Sequence, residues 1–107
     1  MIDPAAFVTA SAEAGRVSIV VSGEIDLSNA SDIERDVTTA IPNHCVSASV
    51  DLTAVTYVDS VGMRIFFKLA EQLQRAQIDL TVIAPRTSPA RRIVEISGLM
   101  AVVTLEP

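Results

Sequence analysis

The sequence predicts a single α/β domain with a mixed, mostly parallel β-sheet and the element order β-β-α-β-α-β-α-β. The chain has 107 residues, which is the length of one domain. Half of the residues are hydrophobic but only 4% are aromatic, so the core must consist mainly of Val, Ile, Leu and Ala. Small branched side chains of this kind suit strands that are covered by helices. Because helices and strands alternate after an opening pair of strands, right-handed crossovers are expected to make most of the sheet parallel.

Five strands are predicted where hydrophobic residues alternate or cluster in β-rich runs. The short turn Glu13-Ala14-Gly15 joins the first two strands and predicts an antiparallel hairpin. Gly23-Glu24-Ile25-Asp26 is expected to end the second strand, and Thr53–Asp59 is expected to be a loop after the third. The predicted strands are Phe7–Ala12, Arg16–Ser22, Val46–Leu52, Asp79–Ala84 and Ala101–Leu105.

The first of three predicted helices begins near Ser28 and ends before Pro42, which cannot continue a helix. Either Ser28 or the capping box Ser31-Asp32-Ile33-Glu34 is expected to cap it. Its hydrophobic residues recur three or four positions apart and predict one buried stripe. The stripe consists of Ala30, Ile33, Val37 and Ile41.

The second helix begins at Asp59-Ser60, and the third runs from Ser88-Pro89 to Ser97-Gly98. Serine followed by proline is typical of a helix start, and glycine is typical of a helix end. The predicted buried stripe of the second helix consists of Met63, Phe66, Phe67, Ala70 and Leu73.

Charge and cysteine content argue against several classes of function. The net charge of −5 argues against direct binding to nucleic acid or to an anionic membrane, since both require a positive surface. No hydrophobic run approaches the ~18 residues that a membrane-spanning helix needs, and the start of the chain lacks the features of a secretory signal. Cys45 is the only cysteine, so no internal disulfide can form, and a reducing cytoplasm is the expected location. Whether Cys45 is redox-active stays open.

No enzyme class fits the chain. The sequence contains no glycine-rich phosphate loop and no paired Cys/His spacing, so neither a cofactor nor a metal is expected. The stretch Val58–Gly62 is similar to the nucleophile elbow of hydrolases, but it lacks the first glycine. The histidine base of such a hydrolase follows the serine, whereas His44, the only histidine, precedes it. We therefore expect no catalytic residues.

Ser60 is the strongest candidate for a functional residue. It lies where a loop enters a helix, at the carboxyl end of a predicted central strand, which is the edge where open α/β sheets usually meet ligands and partners. Ser60, or Asp59 beside it, is also a typical helix cap. The two roles are compatible, because a hydroxyl at a helix start is exposed and lies near amides that tolerate a phosphate.

Two segments resemble the STAS-domain family, and in particular the bacterial anti-sigma-factor antagonists. The stretch Val50–Met63, with Asp59-Ser60-Val61-Gly62 near its end, is similar to the family's strand, short loop and Asp-Ser-Ser/Thr-Gly helix start. Val21–Asp26 is similar to the family's Gly-Glu-(Leu/Ile/Val)-Asp segment. The resemblance covers essentially the whole chain and implies one STAS domain over residues 1–107 with the STAS fold.

The resemblance implies a switch. An unphosphorylated antagonist binds an anti-sigma factor that is also a serine kinase and so frees a sigma factor, and phosphorylation at the position of Ser60 ends that binding until a phosphatase reverses it. Asp26 matches a family aspartate that is important for partner contact and phosphorylation, but aspartate is equally favoured at a helix entry or as a loop cap, so both roles are open. The residues expected at the partner surface are Asp26, Asp59, Ser60, Val61, Gly62, Met63 and Arg64.

Two departures from the family pattern affect this interpretation. Val61 replaces the usual second Ser or Thr and leaves Ser60 as the phosphate acceptor. Arg64 replaces a residue that is often a second glycine. Arg64 is either a solvated surface charge or, four residues after Ser60 on a helix, a partner for its phosphate.

Two other functions remain open. A STAS domain can serve as a constitutive scaffold subunit of a lipid-transport or signalling complex, in which Ser60 would act only as a cap. A nucleotide-binding or nucleotide-hydrolysing module is a further alternative, although the chain lacks a phosphate loop and metal ligands.

Overall fold

The strands and helices follow the predicted β-β-α-β-α-β-α-β order in a computed structural model, which describes residues 6–42, 44–99 and 103–107. Within these residues the elements are β1 (Ala6–Glu13), β2 (Arg16–Ile25), α1 (Ala30–Ala40), β3 (Ser47–Val58), α2 (Ser60–Arg75), β4 (Asp79–Ile83), α3 (Pro89–Ser97) and β5 (Thr104–Glu106).

The sheet is mixed, as predicted. β1 and β2 form an antiparallel hairpin, β2 to β5 run parallel, and the strand order is β1-β2-β3-β4-β5. Ala14 and Gly15 form the hairpin turn with φ angles of 52° and 79°. Two successive positive φ angles are the geometry of the type I′ turn, whose twist matches that of the flanking strands.

The helices of the described residues pack on one face of the sheet. Each crossover after β2 leads to the next strand in the same direction, so right-handed connections place the connecting helices on the same side. Along β2 the side chains of Val17, Ile19 and Val21 are buried, whereas those of Ser18 and Val20 are exposed. The face opposite the helices therefore meets solvent.

The core between the sheet and the helices consists mainly of aliphatic side chains, and Phe66 is its largest fully buried member. The predicted stripe of α1 is confirmed, since all four of its residues are buried. In α2 the predicted Phe67 is only half-buried, while Ile65 and Leu69, which were not predicted, are buried. The apolar face of α2 is therefore wider than the sequence pattern indicated.

The predicted loop Thr53–Asp59 is wrong, because β3 continues through this segment to Val58. This second half of β3 pairs with the end of β2, and the register shifts twice between the two strands. The shifts move the buried positions from every second residue to every third, at Leu52, Val55 and Val58. The loss of simple alternation explains why the extension was missed. The predicted start at Val46 is also wrong, because β3 begins at Ser47. The Val46 side chain is 61% exposed.

The predicted start and cap of α1 are wrong as well. The helix begins at Ala30 with Asn29 as the N-cap residue, and no side chain caps it. Instead, the backbone N–H groups of Asn29 and Ala30 donate to the carbonyl oxygen of Asp26, at 3.2 and 2.8 Å. Ser28 instead donates hydrogen bonds to the carboxylate of Asp26.

The third helix is confirmed at both ends. Ser88 precedes Pro89, the first residue of α3, and Gly98 ends the helix in the left-handed conformation with φ 86°. β4 ends at Ile83, one residue before the predicted end. β5 begins at Thr104, and the predicted start of this strand at Ala101 lies outside the described residues.

Candidate functional site

The two segments that resemble the family lie side by side at the carboxyl edge of the sheet. Ile25, the last residue of β2, pairs with Val58, the last residue of β3. The strands are parallel neighbours, so the residues that follow them, Asp26 and Asp59, meet at the same edge. The backbone N–H of Asp59 donates to the carbonyl oxygen of Ile25 at 3.2 Å. Segments that are 33 residues apart in sequence therefore form one site.

Asp59 joins these segments through its side chain. One carboxylate oxygen, Oδ1, accepts a hydrogen bond from the backbone N–H of Gly62 at 2.7 Å and so caps α2. The other, Oδ2, accepts one from the backbone N–H of Leu27 at 3.2 Å. The carboxylate thus links the first turn of α2 to the loop after β2. A partner contact through Asp59 stays a prediction, and both of its oxygens already bind groups of this chain.

Asp26 organises the loop between β2 and α1. Its Oδ1 accepts hydrogen bonds from the hydroxyl and the backbone N–H of Ser28. The backbone N–H of Asp26 donates to Oδ1 of Asn29 at 3.0 Å, and the Asn29 amide donates to the carbonyl oxygen of Glu24 at 2.7 Å. The hydrogen bonds from the hydroxyl and then the N–H of Ser28 lower the pKa of Asp26 below its ordinary value of 3.8. The carboxylate is therefore held ionised in a defined position at the surface.

Ser60 is the first residue of α2, and its side chain is exposed. Because Asp59 caps the helix, the Ser60 hydroxyl is not needed as a cap, and it makes no side-chain hydrogen bond within the described residues. The sequence left the choice of cap open between these two residues. The structure assigns capping to Asp59 and leaves the hydroxyl of Ser60 directed at the surface of the domain.

The next three residues pack inward to different degrees. Val61 is half-buried, whereas Gly62 is buried and the Met63 side chain is only 4% exposed. A β-carbon on Gly62 would lie 2.9 Å from a methyl carbon of Ile25 and 3.0 Å from the Ile25 carbonyl oxygen. Glycine at this position therefore lets α2 approach the end of β2 closely. Partner contacts by Gly62 and Met63 remain predictions, and burial restricts them to small areas.

A groove with a volume of about 570 Å³ lies between the first turns of α2 and the helix α3, next to Ser60. Its lining is predominantly apolar and includes Tyr57, Met63, Phe67, Ile93 and Ile96. No sequence motif indicated that α3 belongs to the site. The sequence did carry one indication, because α3 has more large hydrophobic residues than its buried face needs. Ile96 lies outside the buried positions Ala90 and Val94 and is 70% exposed.

Arg64 lies at the same groove, one turn of α2 after Ser60. It is exposed and forms no salt bridge within the parts of the chain that the structure describes. The other basic residues of α2 are paired: Lys68 with Glu34 at 3.0 Å and Arg75 with Glu71 at 2.8 Å. The groove therefore has one cationic group on its rim.

Two further features concern residues 6–42, 44–99 and 103–107. No helix there is long and apolar enough to cross a bilayer. No group of three or more His, Cys, Asp or Glu side chains in that part of the chain is placed to bind a metal ion. The exposed His44 and the buried Cys45 lie just before β3.

The mixed, mostly parallel sheet and the two segments that meet at its carboxyl edge are those expected of a STAS domain. Residues 9–107 match the sequence profile of the STAS domain. The chain belongs to this family.

Known relatives include the anti-sigma-F factor antagonist RsfB of Mycobacterium tuberculosis, which is 29% identical over 92 residues, covering 86% of this chain and 74% of that protein. The crystal structure of an anti-sigma factor antagonist from Mycobacterium paratuberculosis superposes with a TM-score of 0.83 at 26% identity, covering 95% of this chain and 86% of that one. The Bacillus cell fate determinant SpoIIAA in its phosphorylated form shares the fold, with a TM-score of 0.69 at 18% identity, over 94% of this chain and 92% of that one.

The close approach at Gly62 predicts that Gly62→Ala destabilises the domain. Alanine favours a helix over glycine by about 1 kcal/mol, but the new methyl group must displace the Ile25 carbonyl or its side chain, and overpacking of this kind costs about 1–3 kcal/mol. We expect a net loss in the free energy of unfolding, measured by urea denaturation. Gln74→Ala, at an exposed position of the same helix, is the control and should change stability by less than about 0.5 kcal/mol. An unchanged or higher stability of Gly62→Ala would contradict the close approach.

The hydrogen bonds to Asp26 predict a shift in its titration. Ser28→Ala removes the hydroxyl donor, so the pKa of Asp26 should rise toward its ordinary value in a carbon-13 NMR titration, while the exposed Ser31→Ala leaves it unchanged. Because the pKa is lowered in the folded state, the ionised carboxylate stabilises the fold above pH 3.8, and this contribution is lost as pH falls through the folded-state pKa. Ser28→Ala should therefore show a smaller acid-induced loss of stability than the wild type. Identical titration curves for Asp26 in the wild type and in Ser28→Ala would refute this account.

Proposed function

We propose that the protein is an anti-sigma-factor antagonist whose binding is switched off by phosphorylation of Ser60. In its unphosphorylated form it binds an anti-sigma factor that is also a serine kinase, and this binding frees a sigma factor. Phosphorylation ends the binding, and a phosphatase restores it. The protein acts in this scheme as a binding partner in the cytoplasm, without catalysis of its own and without contact to nucleic acid or membrane.

The observation that carries the proposal is the exposed hydroxyl of Ser60 at the first position of α2. A kinase needs a serine that it can reach, and Ser60 lies at the edge of the sheet where partners of α/β domains usually bind. The neighbouring Val61 has no hydroxyl, so Ser60 is the single phosphate acceptor between Val58 and Met63. The names of the relatives support the same function, since two of them are anti-sigma factor antagonists and SpoIIAA has been solved in a phosphorylated form.

The folded monomer can accommodate a phosphate on Ser60. Phosphorylation adds about −1.5 to −2 charges at neutral pH. The positive end of the α2 dipole lies at this position and stabilises a negative charge by about 0.3–1 kcal/mol. The carboxylates of Asp59 and Asp26 are held by backbone and side-chain donors of their own, so the loops need not rearrange.

The same phosphate opposes binding. At an interface it must lose water, and any acidic group of the partner then faces it at short range. Disruption at the centre of an interface commonly costs about 2 kcal/mol or more, which corresponds to about thirtyfold in affinity. A local change in charge is therefore sufficient to reverse occupancy without refolding the domain.

The proposal predicts how Ser60 variants bind the purified anti-sigma factor kinase of the same organism. Ser60→Asp should fold normally and bind at least about thirtyfold more weakly, as measured by calorimetry. Ser60→Ala should bind like the wild type but take up no phosphate when incubated with the kinase and ATP, as read by mass spectrometry. Ser11→Asp, which adds the same charge on the exposed strand β1, is the control and should bind normally. If the wild-type chain binds but is never phosphorylated at Ser60, a constitutive scaffold role is favoured instead.

Arg64 is proposed to pair with the phosphate on Ser60. Residues four apart on a helix are neighbours, and the Arg64 guanidinium has no acidic partner within the described residues. Exposed ion pairs contribute about 0.2–1 kcal/mol, so Arg64→Ala should raise the second pKa of the phosphate by about 0.15–0.7 unit. Phosphorus-31 NMR of the phosphorylated chain measures this shift. Lys68→Ala, which removes a cation already paired with Glu34, is the control, and an equal pKa in Arg64→Ala and wild type would rule out the pairing.

A further inference from the structure

We propose that the groove between α2 and α3 receives an apolar side chain of the anti-sigma factor, and that an acidic residue beside this side chain pairs with Arg64. The inference rests on the proposed function and specifies the chemistry of the partner. It assigns α3, which the family segments do not include, to the binding surface.

The shape of the groove fits a side chain supplied by another protein. Its floor is formed by buried residues such as Met63, and its walls by the half-buried Phe67 and Ile93. Tyr57 and Ile96 form the rim and are 51% and 70% exposed. A volume of about 570 Å³ leaves room for a large aliphatic or aromatic side chain. Aromatic residues, Met and Arg are the residue types enriched in the cores of protein interfaces.

Three of the six large hydrophobic side chains that are exposed within the described residues lie near Ser60. Ile96 and Tyr57 line the same groove as Ser60, and Leu27, 75% exposed, donates its backbone N–H to Asp59 next to it. The other three lie elsewhere: Phe7 and Val20 in the β1–β2 hairpin, and Val46 just before β3, at the opposite end from Ser60. The groove and the exposed side chains of Tyr57 and Ile96 at its rim form an apolar patch beside the charged Arg64. Such a patch is typical of an interaction site, whereas single exposed hydrophobic residues are ordinary. The patch also continues the surface that the kinase must cover in order to reach Ser60.

The charges at the groove select the partner's chemistry. Arg64 is a cation without an acidic partner in the described part of the chain, while the adjacent carboxylate of Asp59 accepts hydrogen bonds from Gly62 and Leu27. An apolar side chain that enters the groove therefore brings its flanking residues to a positive rim. An acidic residue there gains a charge-assisted hydrogen bond with the Arg64 guanidinium.

This arrangement gives Arg64 two alternative partners. In the unphosphorylated chain it pairs with the acid of the anti-sigma factor, and after phosphorylation it pairs with the phosphate on Ser60. Phosphorylation then weakens binding in two ways. It places a dianion at the rim of an apolar groove, and the dianion pairs with Arg64, so that this cation no longer binds the acid of the partner.

The apolar contact is tested by truncating Ile96. Calorimetry with the purified anti-sigma factor kinase should show that Ile96→Ala lowers the affinity about tenfold or more, because interface anchors lose at least this much on truncation. Val46→Ala removes an equally exposed branched side chain far from the groove and should change the affinity by less than twofold. Circular dichroism melting confirms that both variants fold, as expected for side chains that are mostly exposed. Equal affinities of Ile96→Ala and Val46→Ala would overturn the proposal.

The charge contact is tested by reversing Arg64. Arg64→Glu should lower the affinity about tenfold or more at low salt, and the difference from the wild type should shrink as salt screens the new repulsion. Arg92→Glu is the matched control, since Arg92 is an exposed residue of α3 that does not line the groove, and its effect should stay within threefold. An Arg64→Glu variant that binds as well as Arg92→Glu would show that no acidic residue pairs at this rim.

The remaining outcomes separate this inference from the proposed function. If the wild-type chain does not bind the anti-sigma factor, both fail together. If it binds and only Ser60→Asp weakens the complex, the function stands and the groove is not part of the interface. If Ile96→Ala changes only the sedimentation of the chain alone, the groove joins two copies of this protein, and the proposal is wrong.

Discussion

The site depends on one carboxylate that holds two distant segments together. Parallel pairing of β2 and β3 brings their carboxyl ends to the same edge, but pairing stops at Ile25 and Val58. Beyond that point Asp59 continues the connection, by accepting one hydrogen bond from the α2 backbone and one from the loop after β2. The bond from the Asp59 N–H to the Ile25 carbonyl oxygen joins the helix start to the end of β2, but not to the loop that follows it. The relative position of Leu27 and Ser60 therefore follows from Asp59.

This role of Asp59 determines what Ser60 can do. A helix start needs one side chain to satisfy its free N–H groups, and Asp59 supplies it. Ser60 is thereby relieved of a capping role, and its hydroxyl is available for chemistry without loss of helix stability. Gly62 also contributes to the position of Ser60. Because it has no side chain, the first turn of α2 lies against Ile25 while Ser60 stays on the outside. Of two neighbouring polar residues that are both typical of caps, Asp59 therefore caps the helix and Ser60 does not.

The order of elements, the mixed sheet and the buried stripe of α1 could be predicted because they follow from local periodicity and from turn residues. The second half of β3 could not, since its two register shifts replace alternation with a spacing of three, and the helix cap of α1 is formed by the Asp26 carbonyl, which no side-chain pattern reveals. The position of Ser60 at the sheet edge was predictable from the strand before it. The groove was not, because Tyr57 and Ile96 meet only through the packing of α3 beside the end of β3.

The electrostatics of the site are consistent with a switch that leaves the fold unchanged. Both acids near Ser60 are held by donors of the protein itself, and the pKa of Asp26 is lowered by its Ser28 contacts, so neither acid requires a cation from outside. Arg64 is the only group lining the groove that carries a positive charge, and it forms no pair with any described acid. A negative charge added at Ser60 therefore has one nearby cation and the N-terminus of α2 to stabilise it. In the proposed switch, a partner that uses the same cation must compete with that added charge, while the buried core remains untouched.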